Sequence, residues 1–259
     1  MTEALLALPA HLRKRLVRAL ESGMLAAPWS TTAVRSALGL RGGGEEIVAA
    51  LVELERLGIA GAAAAAWMRS VERAAAAAPR PDLVWSGPEV PGVHARDTRR
   101  VFEELLGSAE RSAWVSTYAY FDGPRAFEVL ARRMDETPGL RVTILLNIQR
   151  RRGDTTAAGA LVRQFADRFW GSDWPGSSRP IVYYDPRSLE PDKPGVLHAK
   201  AVVTDDKAVF VTSANLTEAA LDRNFELGLL LRDPALAAAV SSHFRTLIDR
   251  KLLRPLPAS

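Results

Sequence analysis

From about Arg96 to Arg250 the chain alternates short apolar runs of strand character with segments whose apolar residues recur at helical spacing. Few folds accept that order other than a sheet layered with helices. Asp97 is placed to cap a helix running through Leu106, Ser112 to Tyr120 alternates as a strand, and Gly123-Pro124 opens a helix ending near Met134. Leu140 to Asn147 reads as a buried strand, Thr155 to Trp170 has helical period, and Pro180 to Tyr184 is a short strand. Val196 to Thr204 and Ala208 to Thr212 form a hairpin through Asp205-Asp206-Lys207; a strand over Glu226 to Leu231 and a helix from Pro234 complete the unit. The expectation is an α/β domain over residues 96–250, a mixed β-sheet flanked by helices, followed by a tail at 251–259.

The N-terminal part is built differently. Leu12 to Ser22, Thr32 to Leu38 and Glu45 to Leu57 have helical apolar spacing, with Gly42-Gly43-Gly44 between the second and third. Alanine-rich Gly61 to Ala66 and Ala74 to Ala78 favour helix, and Pro79-Arg80-Pro81 stops it. This predicts a small all-α domain over 1–80 and a linker over 81–95. Three helices ending at Leu57-Gly58-Ile59 resemble a winged helix-turn-helix, yet Glu45, Glu46, Glu53 and Glu55 on the third would repel phosphates. An interaction or dimer-supporting domain fits them better.

Composition narrows the setting. With 47% hydrophobic and 25% charged residues, the 259-residue chain can bury one or two sizeable cores. It shows no apolar run that spans a bilayer and no secretory signal pattern, so a cytoplasmic protein without membrane contact is expected. Cys 0 excludes disulfides and thiolate chemistry, and His11, His94, His198 and His243 lack metal-ligand spacing.

Chemistry concentrates in the hairpin. Alternation along a strand puts His198 and Lys200 on one face, and Ser213 and Asn215 repeat the same two-residue spacing where the returning strand ends. Lysine supplies charge, serine and asparagine supply neutral donors, and histidine can attack phosphorus or carry a proton near neutral pH. Such a set can grip a phosphate.

These residues carry a resemblance to the phospholipase D superfamily, whose hallmark is His-x-Lys with Asp after four further residues, as in His198, Lys200 and Asp205. Thr212-Ser213-Ala214-Asn215 stands where that family usually has Gly-Ser-x-Asn, and Glu226 supplies the acid of the next strand. Thr212 is the departure from the pattern. The resemblance covers roughly Arg96 to Arg250 and implies a phospholipase D-like mixed sheet and a phosphodiesterase needing no metal or other cofactor. It also implies two histidines, one attacking phosphorus and one protonating the leaving oxygen, whereas this chain has a single His-x-Lys. A homodimer with one composite site on its two-fold axis would supply both. Lys200 and Asn215 would then hold the non-bridging oxygens, Ser213 would assist, and Glu226 would accept a hydrogen bond from the imidazole. Asp205, at a strand end where Asp favours turns, is assigned a structural role.

For the substrate, Arg150, Arg151 and Arg152 follow a strand end and are candidates for binding the backbone of DNA or RNA. Trp170, Trp174, Tyr183 and Tyr184 offer base stacking or, more commonly for such residues, core packing. Outside the motif, Leu83 to Gly92, Arg96-Asp97-Thr98, Tyr183 to Leu189 and Val211 to Ala220 are similar to the phospholipase D-like component of bacterial DISARM anti-phage systems. That similarity implies a defence nuclease working with other components of such a system. Two alternatives stay open: a noncatalytic nucleic-acid-binding or scaffold subunit, and a phospholipase acting on lipid headgroups.

Overall fold

The computed structural model describes residues 3–77, 79–89, 91–92, 94–191 and 194–258, so Met1, Thr2, Ala78, Val90, Val93, Asp192, Lys193 and Ser259 of the segments named above lie outside the described residues. The chain divides into two units, Met1–Ala78 and Pro79–Ser259.

The first unit consists of α1 (Glu3–Leu6), α2 (Ala10–Glu21), α3 (Thr31–Leu38), α4 (Glu45–Arg56) and α5 (Gly61–Ala77). Ser30 caps α3 by accepting a hydrogen bond from the Ala33 amide, and Gly39 ends it at φ 70°, a left-handed turn that favours glycine. Leu16 and Leu20 of α2, Val34 and Leu38 of α3 and Leu51 and Leu54 of α4 form the core. Spacings of three and four residues turn these apolar side chains inward, which is why the acidic residues of α4 stay exposed or half-exposed. Among the described residues this unit has no strand, hence no wing after its helices.

The second unit carries a nine-stranded sheet in the order β2-β1-β8-β7-β6-β3-β4-β5-β9. Its strands are β1 (Asp82–Ser86), β2 (Arg96–Asp97), β3 (Ser112–Thr117), β4 (Arg141–Leu146), β5 (Ile181–Tyr184), β6 (Ala201–Thr204), β7 (Ala208–Thr212), β8 (Glu226–Leu231) and β9 (Arg254–Pro255). β3, β4 and β5 run parallel, while β6, β7, β8 and β1 pair antiparallel in turn, giving a mixed sheet. The helices are α6 (Thr98–Ser108), α7 (Gly123–Glu136), α8 (Ala158–Arg168), α9 (Glu218–Asp222) and α10 (Pro234–Asp249).

Period-two alternation sorts the strands between two cores. Val115, Ile144, Val202 and Phe210 pack with Phe102, Phe127 and Val162 from α6, α7 and α8. Trp114, Leu145, Val203 and Val209, their sequence neighbours, pack with Ala237 and Phe244 of α10 on the other face. Asp97 caps α6 through the Arg100 amide at 2.9 Å. The π-helical turn Phe169–Asp173 after α8 comes so close to α7 that a Cβ on Gly123 would lie 2.4 Å from the Asp173 Cβ.

Three expectations need correction. The 81–95 segment is not all linker: Asp82–Ser86 is β1, paired along its length with β8, because Val84 and Ser86 alternate inward although prolines and glycine flank the run. The 251–259 tail contributes β9, where Pro255 sits on a sheet edge that needs no amide from it. The His198 strand begins at Ala201 rather than Val196, since Val196 to Lys200 carry no ladder pairing.

Candidate active site

The chemistry gathers at one end of the sheet, where β3 and β7 finish and β6 and β8 begin. The Thr212 amide donates to the Lys200 carbonyl at 3.1 Å, so the turn after β7 starts beside the lysine that precedes β6. Upstream, the Leu197 amide donates to Asn147 Oδ1 at 3.1 Å, tying the approach to His198 to the end of β4.

His198 is exposed, whereas Lys200 is only 8% exposed. The Lys200 Nζ lies 2.9 Å from His198 Nδ1 and 3.0 Å from Nε2. Burial pushes the Lys200 ammonium below its ordinary pKa, and the Glu226 carboxylate offsets part of that shift. Tyr118, just past β3, completes the cluster: its ring centroid is 4.9 Å from that of His198 and 5.6 Å from the Lys200 Nζ. Sequence reasoning missed this tyrosine. Only the pairing of Ser116 with Ala201, across more than eighty residues of chain, brings it opposite the motif.

Glu226 accepts from Ser213 Oγ and, at 3.3 Å, from Asn224 Nδ2. Ser213 Oγ also accepts from the Leu227 amide at 3.1 Å. This differs from the expected bond between Glu226 and the His198 imidazole: β7 stands between β6 and β8, and the serine at its end takes the carboxylate first. Asn215 Oδ1 accepts from the Ala119 amide at 3.2 Å, which leaves its NH2 as the group it can offer a phosphate.

Asp205 lies at the other end of β6 with φ 55°. Its carboxylate accepts from the amides of Glu110, Arg111 and Ser112 at 3.0, 2.7 and 2.9 Å, gathering the start of β3 onto the hairpin turn. Burial raises this carboxyl, but the three amides outweigh it and hold the pKa below the ordinary aspartate value.

The basic loop resolves into unequal members. Arg150 is half-buried and spent on backbone carbonyls, those of Leu189 at 2.8 Å and of Asp154 and Thr156 at 2.7 Å each. It is a clamp for its own loop and not a free cation for nucleic acid, because a guanidinium that folds under the chain satisfies orphan carbonyls there. Arg151 and Arg152 are exposed. Of the aromatics, Trp174 and Tyr184 are core residues, Trp170 packs against the same core and Tyr183 against that of α10. Among the described residues no group of three or more histidine or acidic side chains could hold a metal ion, and no helix is long and apolar enough to cross a membrane.

An imidazole, a largely buried ammonium and an amide NH2 at one strand-end cluster can engage a phosphate diester; among the described residues no second imidazole joins this cluster. The family profile described as "Cardiolipin synthase, PLD-like domain" matches residues 102–248. Similar solved structures include the phospholipase D family member Nuc from Salmonella typhimurium, 22% identical over 70% of this chain and 99% of that one, with a TM-score of 0.46. NucT from Helicobacter pylori is 17% identical over 66% of this chain and 96% of its own, TM-score 0.46. Phosphatidylserine synthase of Haemophilus influenzae Rd KW20 is 21% identical over 69% of this chain and 40% of its own, TM-score 0.46. Among curated proteins none matches.

Proposed function

The chain belongs to the phospholipase D-like phosphodiesterase family, and on that premise we propose that it is a metal-independent nuclease acting through a covalent phosphohistidine at a site composed by two copies of the chain. The observation that carries this reading is the direct contact of His198 with the partly buried Lys200 at the sheet end, with Asn215 and Ser213 one turn away. A ring nitrogen of His198 attacks phosphorus, and the bond from phosphorus to the leaving oxygen breaks as His198 of the second copy donates its proton to that oxygen. Water then attacks the phosphohistidine, the second imidazole takes its proton, and cleavage of the P–N bond restores both rings. Lys200 and the Asn215 NH2 stabilise the charge on the non-bridging oxygens as phosphorus becomes five-coordinate. Ser213 and Asn224 hold Glu226, whose charge offsets part of the burial that disfavours the Lys200 ammonium.

An uncovered apolar face supports the two-copy arrangement. Leu83, Leu229 and Val211 stand directly opposite one another across β1, β8 and β7, and all three, with Leu227, are exposed. α10 packs on β6 and β7 and leaves this end of its face bare. A contiguous apolar patch of that kind marks a protein contact, and a two-fold contact uses the same patch twice. The setting in an anti-phage system of the DISARM type rests on the resemblance of the segments Leu83 to Gly92 and Val211 to Ala220.

The test incubates the purified chain and its His198→Ala variant with labelled single-stranded DNA, duplex DNA, RNA and phospholipid vesicles. Cleavage of a nucleic acid by the parent alone is the expected result. Indistinguishable behaviour of the two on every substrate overturns the enzymatic reading, and full activity in a strict monomer overturns the composite site.

A further inference from the structure

Beside His198 lies a cleft of about 780 Å3 that the proposed chemistry leaves unused. It opens over the carboxyl ends of the parallel strands β3 and β4, the customary place for a ligand in such a sheet, and Tyr118 forms part of its lining. The same tyrosine ring neighbours the His198 imidazole, so whatever enters the cleft is adjacent to the reacting phosphate.

Both walls are rigid. On one, Tyr120 donates to Asp173 at 2.6 Å and Arg168 pairs with the same carboxylate at 3.0 Å. Burial and that bond to Asp173 push the Tyr120 hydroxyl above its ordinary pKa, so it remains a donor. On the other, the three carbonyl bonds of Arg150 fix the loop that carries Gln149 and Arg151. Between these walls stand groups with no protein partner for their side chains among the described residues: the carboxamides of Gln149 and Gln164, and Phe121, which is 72% exposed. A half-empty set of this sort in a rigid frame is a recognition surface.

Its chemistry selects one class of ligand. Two arginines against three carboxylates line the cleft, so it has no excess positive charge to draw in a phosphate backbone. Carboxamides offer donor and acceptor together and match the hydrogen-bonding edge of a base, while an exposed phenylalanine offers a stacking face. We infer that this cleft takes an unpaired nucleobase next to the scissile phosphate, with Phe121 stacking on it and Gln149 and Gln164 reading its edge. The inference rests on the nuclease reading and adds to it that the substrate is single-stranded at the cut, since a duplex already occupies those base edges and stacking faces.

Binding tests it without cleavage. In the full chain carrying His198→Ala, fluorescence anisotropy compares a labelled single-stranded oligonucleotide, the matching duplex and phosphatidylglycerol vesicles. The single strand should bind most tightly, Phe121→Ala should weaken it about tenfold, and Gln164→Ala about threefold. Both side chains are exposed, so neither substitution endangers folding. Single-strand affinity unchanged by Phe121→Ala, duplex binding as tight as single-strand binding, or a preference for vesicles would each overturn the inference. Failure of the nuclease reading shows separately, as a parent chain that binds nucleic acid through the cleft but cuts none.

Discussion

Thr212 stands directly opposite Gly228 across the β7–β8 pair. A Cβ at 228 would lie 3.0 Å from the Thr212 Cβ, 2.9 Å from the Val211 carbonyl oxygen and 2.6 Å from Phe210 Cε2. This chain has Thr212 where its resemblance to the phospholipase D pattern leads one to expect glycine, and the residue without a side chain in this pair is Gly228. The threonine is then useful, because its Oγ1 accepts from the Ala214 amide at 3.0 Å and shapes the turn that presents Ser213 and Asn215. Gly228→Ala should therefore overpack the ladder and cost about 1–3 kcal/mol. Thermal denaturation should register it as a lowered Tm, accompanied by reduced activity because β8 also begins with Glu226.

The depressed pKa of Lys200 makes activity and stability respond to alkaline pH in opposite directions. Its folded value lies below its unfolded one, so burying the charged ammonium costs stability at neutral pH, and the cost is relieved as pH rises from the folded value toward the unfolded one. Over that same window the ammonium needed at the phosphate is lost. The alkaline limb of the rate profile should thus fall below the ordinary lysine range while unfolding free energy rises. Lys200→Arg should lower the rate yet push the alkaline limb upward, since guanidinium does not titrate there.

Asp205 has the contrary sign. Its folded pKa is depressed, so its contribution is fully present above the ordinary aspartate value of about 3.9 and is lost as pH falls through the folded value. Asp205→Ala leaves three amides of the β3 start without their acceptor and should cost about 3–5 kcal/mol. Urea unfolding at neutral pH measures the loss, and the difference from the parent should shrink in acid.

How far the chain could be read without its structure follows from how local each feature is. The bounds of β7 and β8 and the clustering of His198, Lys200, Ser213 and Asn215 were legible because one hairpin and its neighbour hold them all. Tyr118 was not, because β3 reaches β6 from far upstream. β1 and β9 hid beside prolines, which read as breaks unless the strand that pairs with them is known. Arg150 looked like Arg151 and Arg152 because charge is visible in a sequence, whereas the carbonyls that consume it are set by the path of a loop.

That difference among the arginines is measurable. Arg150→Ala should lower the Tm and leave the salt dependence of nucleic-acid binding nearly unchanged, since its Nε and Nη1 donors are already taken by its own loop. Arg151→Ala and Arg152→Ala should do the reverse, each reducing the slope of log affinity against log salt by about one. Titrations at several salt concentrations give the slopes.

Leu229 occupies the middle of the uncovered face, flanked by Leu83 and Val211. On the proposed two-copy arrangement, Leu229→Arg should leave a monomer in light scattering where the parent chain pairs, and reduce cleavage in proportion, with the fold intact because the side chain is exposed. A dimer that tolerates this substitution would move the contact elsewhere.

The hydrogen bonds at Leu197 and Lys200 have a mechanical consequence. In the proposed reaction, forming a P–N bond would draw a ring nitrogen of His198 from a near-attack contact of about 3–3.5 Å into covalent distance, and hydrolysis would let it return, so the histidine would travel in every cycle. The Leu197 amide is moored to Asn147, the Ala199 carbonyl to Ser116 Oγ at 2.9 Å and the Lys200 carbonyl to Thr212, leaving His198 between these moorings without a main-chain tie among the described residues. In the proposed reaction the imidazole therefore rides on the one untied residue, with play where the bond would be made, while the main chain of Lys200 is held.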